Sequence, residues 1–444
     1  MRRLLAYVSI LALLIAAALW LADRPGGVVL EWQDWQAETT VPVLLAAVLL
    51  FGVVIHVLLS LFAFLRGAPS AFGRSWRERR EKKGLEALTR GLVAIASGDA
   101  QEARKQAREA DKLLNRPALS LLLNAQAAQL SSDRDGAARQ FEAMLGTPET
   151  EFVGRRGLIG LSVEKGDRAK ALEHARQAYA LKPDAEWVAE GLFDLLAKAS
   201  LWQEALEVAE RAQKRGLVER GQGRRQRALL LHLMSGTAET HEIRLKLASQ
   251  SHELAAGFAP AAVTLAQLMA GEGKERKALS VLKDAWEAEP HPSLAKAALA
   301  LDPGEDALRQ VMKLEKLIAS RPDHMESRIA LAEANLAAKL WGAARNCLAP
   351  LLDDAPESRV CRLMAAIDEA ERKPEASREW LVRAMDAPAD PAWLCVKCGA
   401  TAAAWSGLCP SCESFDSLVW GKPSRALRAI APLADEPPPA IPMA

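Results

Sequence analysis

The chain has 444 residues, half of them hydrophobic but only 5% aromatic, with 57 Lys and Arg against 56 Asp and Glu and a formal net charge of +1. So even a balance excludes a global field that would draw the protein to nucleic acid, and the dominance of Ala and Leu favours helices packing closely through small side chains. Of six cysteines, four crowd between Cys395 and Cys412, which is unlike the evenly spread framework of a disulfide-stapled secreted domain and fits a reducing compartment.

Two apolar runs open the sequence. Leu4 to Leu21 and Val41 to Leu65 carry no charge, and at 1.5 Å per residue each is long enough to cross a hydrocarbon core of roughly 30 Å. A cleaved signal peptide competes for the first run, with Arg2 and Arg3 as its positive start and Ala16 to Ala18 as small residues, but a second run so close behind argues for a two-span hairpin. Arg2 and Arg3 precede the first span; Arg66, Arg74, Arg77, Arg79, Arg80, Lys82 and Lys83 follow the second. Asp23, Glu31, Asp34 and Glu38 outnumber Arg24 between them, so both ends are expected in the cytoplasm of a multi-pass membrane protein. Trp20, Trp32 and Trp35 fall where amphipathic rings favour the interface. The segment 66–83 holds seven positive and two negative side chains, which reads either as a topology signal or as a contact for anionic lipid. His56, inside the second span, is open to a functional reading, as a haem ligand or in a helix-to-helix hydrogen bond, but the absence of a second His in either run favours a plain structural place for it.

From Gly84 to residue 390 one alanine phrase recurs. Ala103, Ala137, Ala171 and Ala205 stand 34 residues apart, and each opens a set spaced by four and three: Ala103, Ala107 and Ala110; Ala137, Phe141 and Met144; Ala171, Ala175 and Ala178; Ala205, Ala209 and Ala212. That spacing lines one helix face with residues small enough for a second helix to approach closely. Gly98-Asp99 and Gly166-Asp167 supply the turns within the pairs, and Pro183 stops a second helix. Later copies run through Ala278, Leu282 and Ala285, through Ala344, Leu348 and Leu351, and through Ala376 and Trp380. The pattern resembles the tetratricopeptide repeat, with seven to nine units forming a solenoid whose groove receives protein partners. Between copies the register blurs at KRGLVERGQGRRQR, Lys214 to Arg227, with six positive and one negative side chain. A solvated surface or a contact for an acidic or lipid partner both fit it. GEGKERKALS, Gly271 to Ser280, lacks the spacing of a phosphate loop, and neither a nucleophile elbow nor a dinucleotide fingerprint occurs, so no enzyme activity, catalytic residue or organic cofactor is expected.

The chain then changes character. Cys395-x-x-Cys398 and Cys409-x-x-Cys412, ten residues apart, offer four thiolates for a tetrahedral site, with Gly399 freeing the first turn and Pro410 stiffening the second. Zn²⁺ is the expected ion and Fe the alternative with the same ligands; disulfides or a redox dithiol are the competing readings. Four cysteines fill the shell, which favours a structural role. Trp393, Trp405, Phe415 and Trp420 are the expected packing of this small module, available to dock it on the last helix pair and cap the solenoid's open end. The expected organisation is thus a transmembrane hairpin, 1–65; a basic linker, 66–83; an all-α repeat solenoid, 84–390; a four-cysteine module of rubredoxin or zinc-ribbon type, 391–421; and a disordered proline-rich tail, 422–444.

A hairpin with the loop GGVVLEWQDWQAETTVP, a basic exit segment, repeats, and a terminal W-x-C-x-x-C-G…W…C-P-x-C…F-D-S-L-x-W together resemble the HemY proteins of Gram-negative bacteria, and an alphaproteobacterial member in particular. The resemblance implies an inner-membrane protein associated with haem biosynthesis, a scaffold for haem-pathway enzymes and not a catalyst. Protoporphyrinogen oxidases bearing the same name are flavoenzymes with a dinucleotide fingerprint that this chain lacks. The cysteine module on repeats also resembles the lipopolysaccharide assembly protein LapB, an adaptor with a single span. Direct haem binding or transfer, motivated by His56, Cys347 and Cys361, is a third reading.

Overall fold

The computed structural model describes residues 26–423 apart from 33–34, 115–116 and 354, together with residues 16 and 20. The expected first span lies outside the described residues but for Ala16 and Trp20, and the proline-rich tail lies outside them from residue 424 on. Two compact units divide at Asp133 and Arg134.

In the first unit the segment expected only as a loop is a β-hairpin. Strands β1 (Gly27–Trp32) and β2 (Trp35–Thr40) pair antiparallel with Val29 opposite Glu38 and Trp32 opposite Trp35. The β-branched pairs Val28-Val29 and Thr39-Thr40 suit extended backbone. Thr40 then leads into helix α1 (Val41–Ala96), which carries a proline in its first turn, where the missing N–H is harmless. Val41–Phe62 is the one helix among the described residues long and apolar enough to cross a membrane. Its side chains are exposed instead of buried in a core, as lipid contact would require. The end of α1 packs Ala87 and Ala94 against α2 (Ala100–Leu113) and α3 (Pro117–Leu130) through Ala103, Ala107, Ala110, Leu123 and Ala127, all buried.

The second unit stacks antiparallel helices in pairs. They are α4 (Arg134–Met144), α5 (Pro148–Glu164), α6 (Arg168–Leu181), α7 (Glu186–Lys198), α8 (Trp202–Lys214), α9 (Arg220–Thr237), α10 (His241–Leu254), α11 (Ala259–Gly271) and α12 (Glu275–Ala288). The series continues with α13 (Pro292–Ala300), α14 (Ala307–Ile318), α15 (Met325–Ala337), α16 (Trp341–Leu348), α17 (Ser358–Ala370) and α18 (Pro374–Asp386). The recurring alanines behave as the spacing predicts: Ala171, Ala175 and Ala178 on α6 and Ala205, Ala209 and Ala212 on α8 are buried against neighbouring helices. Turns recur at the same step. Gly98, Ser132, Gly166 and Ser200, each 34 residues from the next, all take a positive φ, between 56° and 77°. Such left-handed residues end one helix and aim the chain into the next. GEGKERKALS is one of these turns, with Gly273 at φ 75° between α11 and α12.

Helices α10 and α14 lie between the recognisable copies of the alanine phrase. Helix α14 buries Val311, Leu314, Leu317 and Ile318 with no alanine, and α10 buries Ala248 and Ser251, the serine donating to the Ala228 carbonyl oxygen at 2.7 Å. Large residues or a serine do the work of alanine there, which erases the phrase while keeping the fold. After α18 the chain enters a three-stranded antiparallel sheet, with β3 (Ala392–Cys395) between β4 (Thr401–Ala402) and β5 (Leu418–Gly421), Cys395 opposite Leu418.

Candidate metal centre

The two Cys-x-x-Cys segments fold as near copies. Gly399 N donates to the Cys395 carbonyl oxygen at 2.9 Å and Cys395 N to that of Ala400 at 2.8 Å. In the second segment Glu413 N donates to the Cys409 carbonyl oxygen at 2.9 Å and Cys409 N to that of Ser414 at 3.0 Å. Both turns need a left-handed residue after the second cysteine, and Gly399 (φ 72°) and Glu413 (φ 54°) supply it. The sequence signals the first with glycine and conceals the second in a glutamate. These turns aim Cys395, Cys398, Cys409 and Cys412 at one point: their sulfurs lie within 4.8 Å of one another.

Cys395 Sγ is 3.6 Å from Cys412 Sγ, and Cys398 Sγ is 3.7 Å from Cys409 Sγ. A disulfide needs about 2.05 Å, so all four are free thiols. Around an ion with metal–sulfur bonds of about 2.3 Å, tetrahedral sulfurs stand roughly 3.8 Å apart, close to the two separations above, so the donor set fits Zn²⁺ or Fe. The proton affinities point the same way. Burial pushes the Cys395 thiol up, but hydrogen bonding with Ser417 and with the N–H groups of Cys398 and Lys397 outweighs it and lowers the thiol to about 6. Cys398 is pushed up to about 12, by burial first and by its crowding against the other three sulfurs. Four adjacent thiolates are not tolerable without a cation to hold them. A bound ion would supply tetrahedral cross-linking of the two turns and no open position for chemistry.

The aromatic residues of the module overturn the expectation that it caps the last helix pair. Trp405 meets Phe258 and His232 with ring centroids 4.8 and 5.4 Å apart, and Phe415 meets Phe193 edge-on at 5.2 Å. Trp393 and Trp420 enclose His291 at 5.3 and 4.6 Å. Phe193 is on α7, His232 on α9, and Phe258 and His291 are the residues that open α11 and α13. These are the first helices of successive pairs, the row that lines the binding surface of such an array. The module lies along that row, and at its end Lys422 pairs with Glu357, at 2.8 Å, beside the last pair. The reason is chemical: the row presents rings, whereas α18 offers no ring partner beyond Trp380.

Charge fixes the position. Arg225 donates to both carboxylate oxygens of Asp416 at 2.7 and 2.9 Å, and Arg168 pairs with Glu413 at 2.6 Å. Hydrogen bonding to Asp416 raises the Arg225 guanidinium above its usual range. The basic stretch Lys214 to Arg227 therefore finds an acidic partner within its own chain, and Arg227 and Arg215 pair with Glu210 and Asp184. Sequence reasoning flagged this stretch but missed Phe193, His232, Phe258 and His291, since isolated rings on helices carry no periodic signal.

His56 lies exposed on the apolar span. Cys347 and Cys361 serve the core between α15 and α17, and burial raises both thiols, which disfavours them as thiolate ligands.

Comparison with known proteins agrees with this anatomy. Residues 26–132 match the model of the HemY protein N-terminus, nearly the whole described part of the first unit, and residues 393–419 match the rubredoxin metal binding domain of LapB type. The probable magnetosome protein Mms48 of Magnetospirillum gryphiswaldense is 30% identical over 445 residues, covering 97% of this chain and 96% of that protein. The chain belongs to the HemY family. Among solved structures, the peptide-binding repeat protein YrrB is 21% identical over 43% of this chain and 97% of its own, with a TM-score of 0.27. The Naa15/Naa10 complex bound to HypK is 12% identical over 72% of this chain and 52% of its own, with a TM-score of 0.44. This HemY-family chain combines an N-terminus with a helix long and apolar enough to cross a membrane, an array of paired helices and a four-cysteine ribbon in one polypeptide.

Proposed function

We propose that this protein is a non-catalytic adaptor of the bacterial inner membrane, with both termini and the repeat domain (residues 84–390) on the cytoplasmic face, that gathers enzymes of haem biosynthesis. In this reading two spans anchor it, and Arg77, Arg79, Arg80, Lys82 and Lys83 face anionic headgroups. Cys395, Cys398, Cys409 and Cys412 hold Zn²⁺, or Fe as the alternative, and the ion keeps the module folded. The observation that carries the adaptor reading is the joint surface: repeat helices and the module pack into one face, with the module fixed by Arg225–Asp416 and by its rings. In this reading the surface binds, and four cysteines complete the shell of the ion and leave no open position on it.

Crosslinking in native membranes followed by identification of the captured proteins tests it. Haem-pathway enzymes are the expected catch. Capture of lipopolysaccharide enzymes instead would favour the LapB-like alternative, which the C-terminal ribbon supports. A second reading comes from the whole-length relative, a probable magnetosome protein: enrichment of the tagged chain in magnetosome membranes, and not across the inner membrane, would favour it. A haemin titration of the purified chain without a Soret shift would dispose of direct haem transfer.

A further inference from the structure

Beside the docked module lies a groove of about 620 Å³ that neither the repeats nor the module makes alone. Its apolar floor comes from Phe193 on α7, from Leu217 and Val218 in the α8–α9 connection, and from Phe415 of the module. The rim is acidic. Glu186, Glu190 and Glu219 border the groove, and their side-chain carboxylates have no ion-pair or hydrogen-bond partner among the described residues. Asp194 and Asp416 also border it, but Lys198 and Arg225 already engage them. Lys397 is the one cation in the lining.

We infer that this groove binds a peptide segment of a partner protein carrying at least two Lys or Arg residues beside Leu, Ile or Phe. The inference rests on the adaptor reading and names the chemistry of its ligand. Apolar side chains of the segment replace water on Phe193, Leu217, Val218 and Phe415, where a flat ring floor accepts aliphatic or aromatic contact. The cations meet the three unpaired carboxylates, and an acidic segment is repelled by the same groups, which gives selectivity as well as attraction. Lys397 sits at the module side, so the field falls off in that direction and the cations lie over α7 and the start of α9. Because Phe415 and Lys397 belong to the module, the groove exists only while the module is docked.

Random twelve-residue peptides displayed on phage and panned on the full chain in nanodiscs test this. Peptides combining Lys or Arg with Leu, Ile or Phe are expected to be enriched. The best of them, synthesised with a fluorophore, should lose at least tenfold in affinity against Glu190→Gln/Glu219→Gln, and by a similar factor between 50 and 300 mM salt. Since neither glutamate has a partner to lose, metal content and helical circular dichroism of the double variant should match the parent. Enrichment of acidic or uncharged peptides, or unchanged affinity in the double variant, overturns the inference. The membrane crosslinking above separates the two readings. The same catch from the double variant would leave the adaptor standing and refute the groove as its binding place, whereas an empty catch with peptide binding intact would refute the adaptor and keep the groove.

Discussion

The seam of helices α6 to α9 and the four-cysteine module are held together in opposite ways. In the seam, Ala175, Ala178, Ala205 and Ala209 disappear between helices, and each pair is backed by another. In the module the fully buried apolar residues are Leu394, Cys395, Cys409 and Leu418, too few to order a stretch this short. Stability is spread along the repeats and concentrated in four sulfurs at the end. The largest break should therefore come from Cys409→Ser/Cys412→Ser or a strong chelator. Structural Zn²⁺ contributes on the order of 10 kcal/mol to folding such units, so the module should unfold outright, with a red shift of Trp393, Trp405 and Trp420 fluorescence. The helical circular dichroism should barely move, because the module contains no helix. Loss of the helical signal in parallel would mean that the repeats lean on the module.

Acid should open the same boundary more gently. His232 and His291, both packed against module tryptophans, are lowered to about 4: burial alone acts on His232, and burial followed by the nearby Arg359 and Lys296 acts on His291. No carboxylate acts on either imidazole to counter that shift. Since the unfolded pKa is higher, the folded protein binds fewer protons; the stability this gives is complete above about pH 6.5 and is lost as pH falls toward 4. The cost reaches on the order of 3 kcal/mol per histidine below that. Tryptophan fluorescence followed from pH 7 to 4, with metal release recorded alongside, should show the rings becoming wet before the ion leaves. His232→Leu should move that change to lower pH, and an unaltered profile would remove His232 from it.

How much of this was legible in the sequence follows the same division. Periodic packing leaves a periodic record, so the alanines of α2, α4, α6 and α8 and their turns could be read directly, while α10 and α14 were obscured where serine or larger aliphatics took over the seam. The convergence of the four cysteines was legible because two Cys-x-x-Cys turns impose a fixed spacing. The docking was not, because Arg225 and Asp416 are separated by 191 residues and a single ion pair between distant segments imposes no local pattern. The β-hairpin of residues 27–40 was hidden for another reason: between two apolar runs the segment reads as a membrane loop, and its alternation is too short to stand out.

Steric substitutions compare the two regions at smaller scale. Ala175→Leu inserts three carbons into a closed seam and should cost about 1–3 kcal/mol in thermal unfolding of the repeats. At the boundary, a Cβ on Gly407 would stand 2.6 Å from Leu233 Cδ1 of α9. Gly407→Val, a larger intrusion that a turn of Leu233 relieves only in part, should thus loosen the module's seat on the row at a similar or lower cost, with the ion retained. Protease cleavage of the module without metal loss would show it, and unchanged protection would place the docking energy elsewhere.

The smallest effect concerns the turns. Ser200 occupies, at φ 56°, the position that Gly166 fills at φ 73° one repeat earlier, and both frame the same hydrogen bond, Leu201 N to the Leu196 carbonyl oxygen and Asp167 N to that of Ser162. An L residue in this conformation costs about 1–2 kcal/mol, of which glycine's extra freedom in the unfolded chain returns roughly 0.5–1 kcal/mol. Ser200→Gly should then stabilise the repeats by about 0.5 kcal/mol, and Gly166→Ser should destabilise them by a like amount. Thermal unfolding of the pair decides whether equivalent turns are energetically equivalent. Opposite shifts of equal size mean that the repeat geometry alone sets the cost, whereas a loss on Ser200→Gly would mean that the serine hydroxyl serves its own repeat.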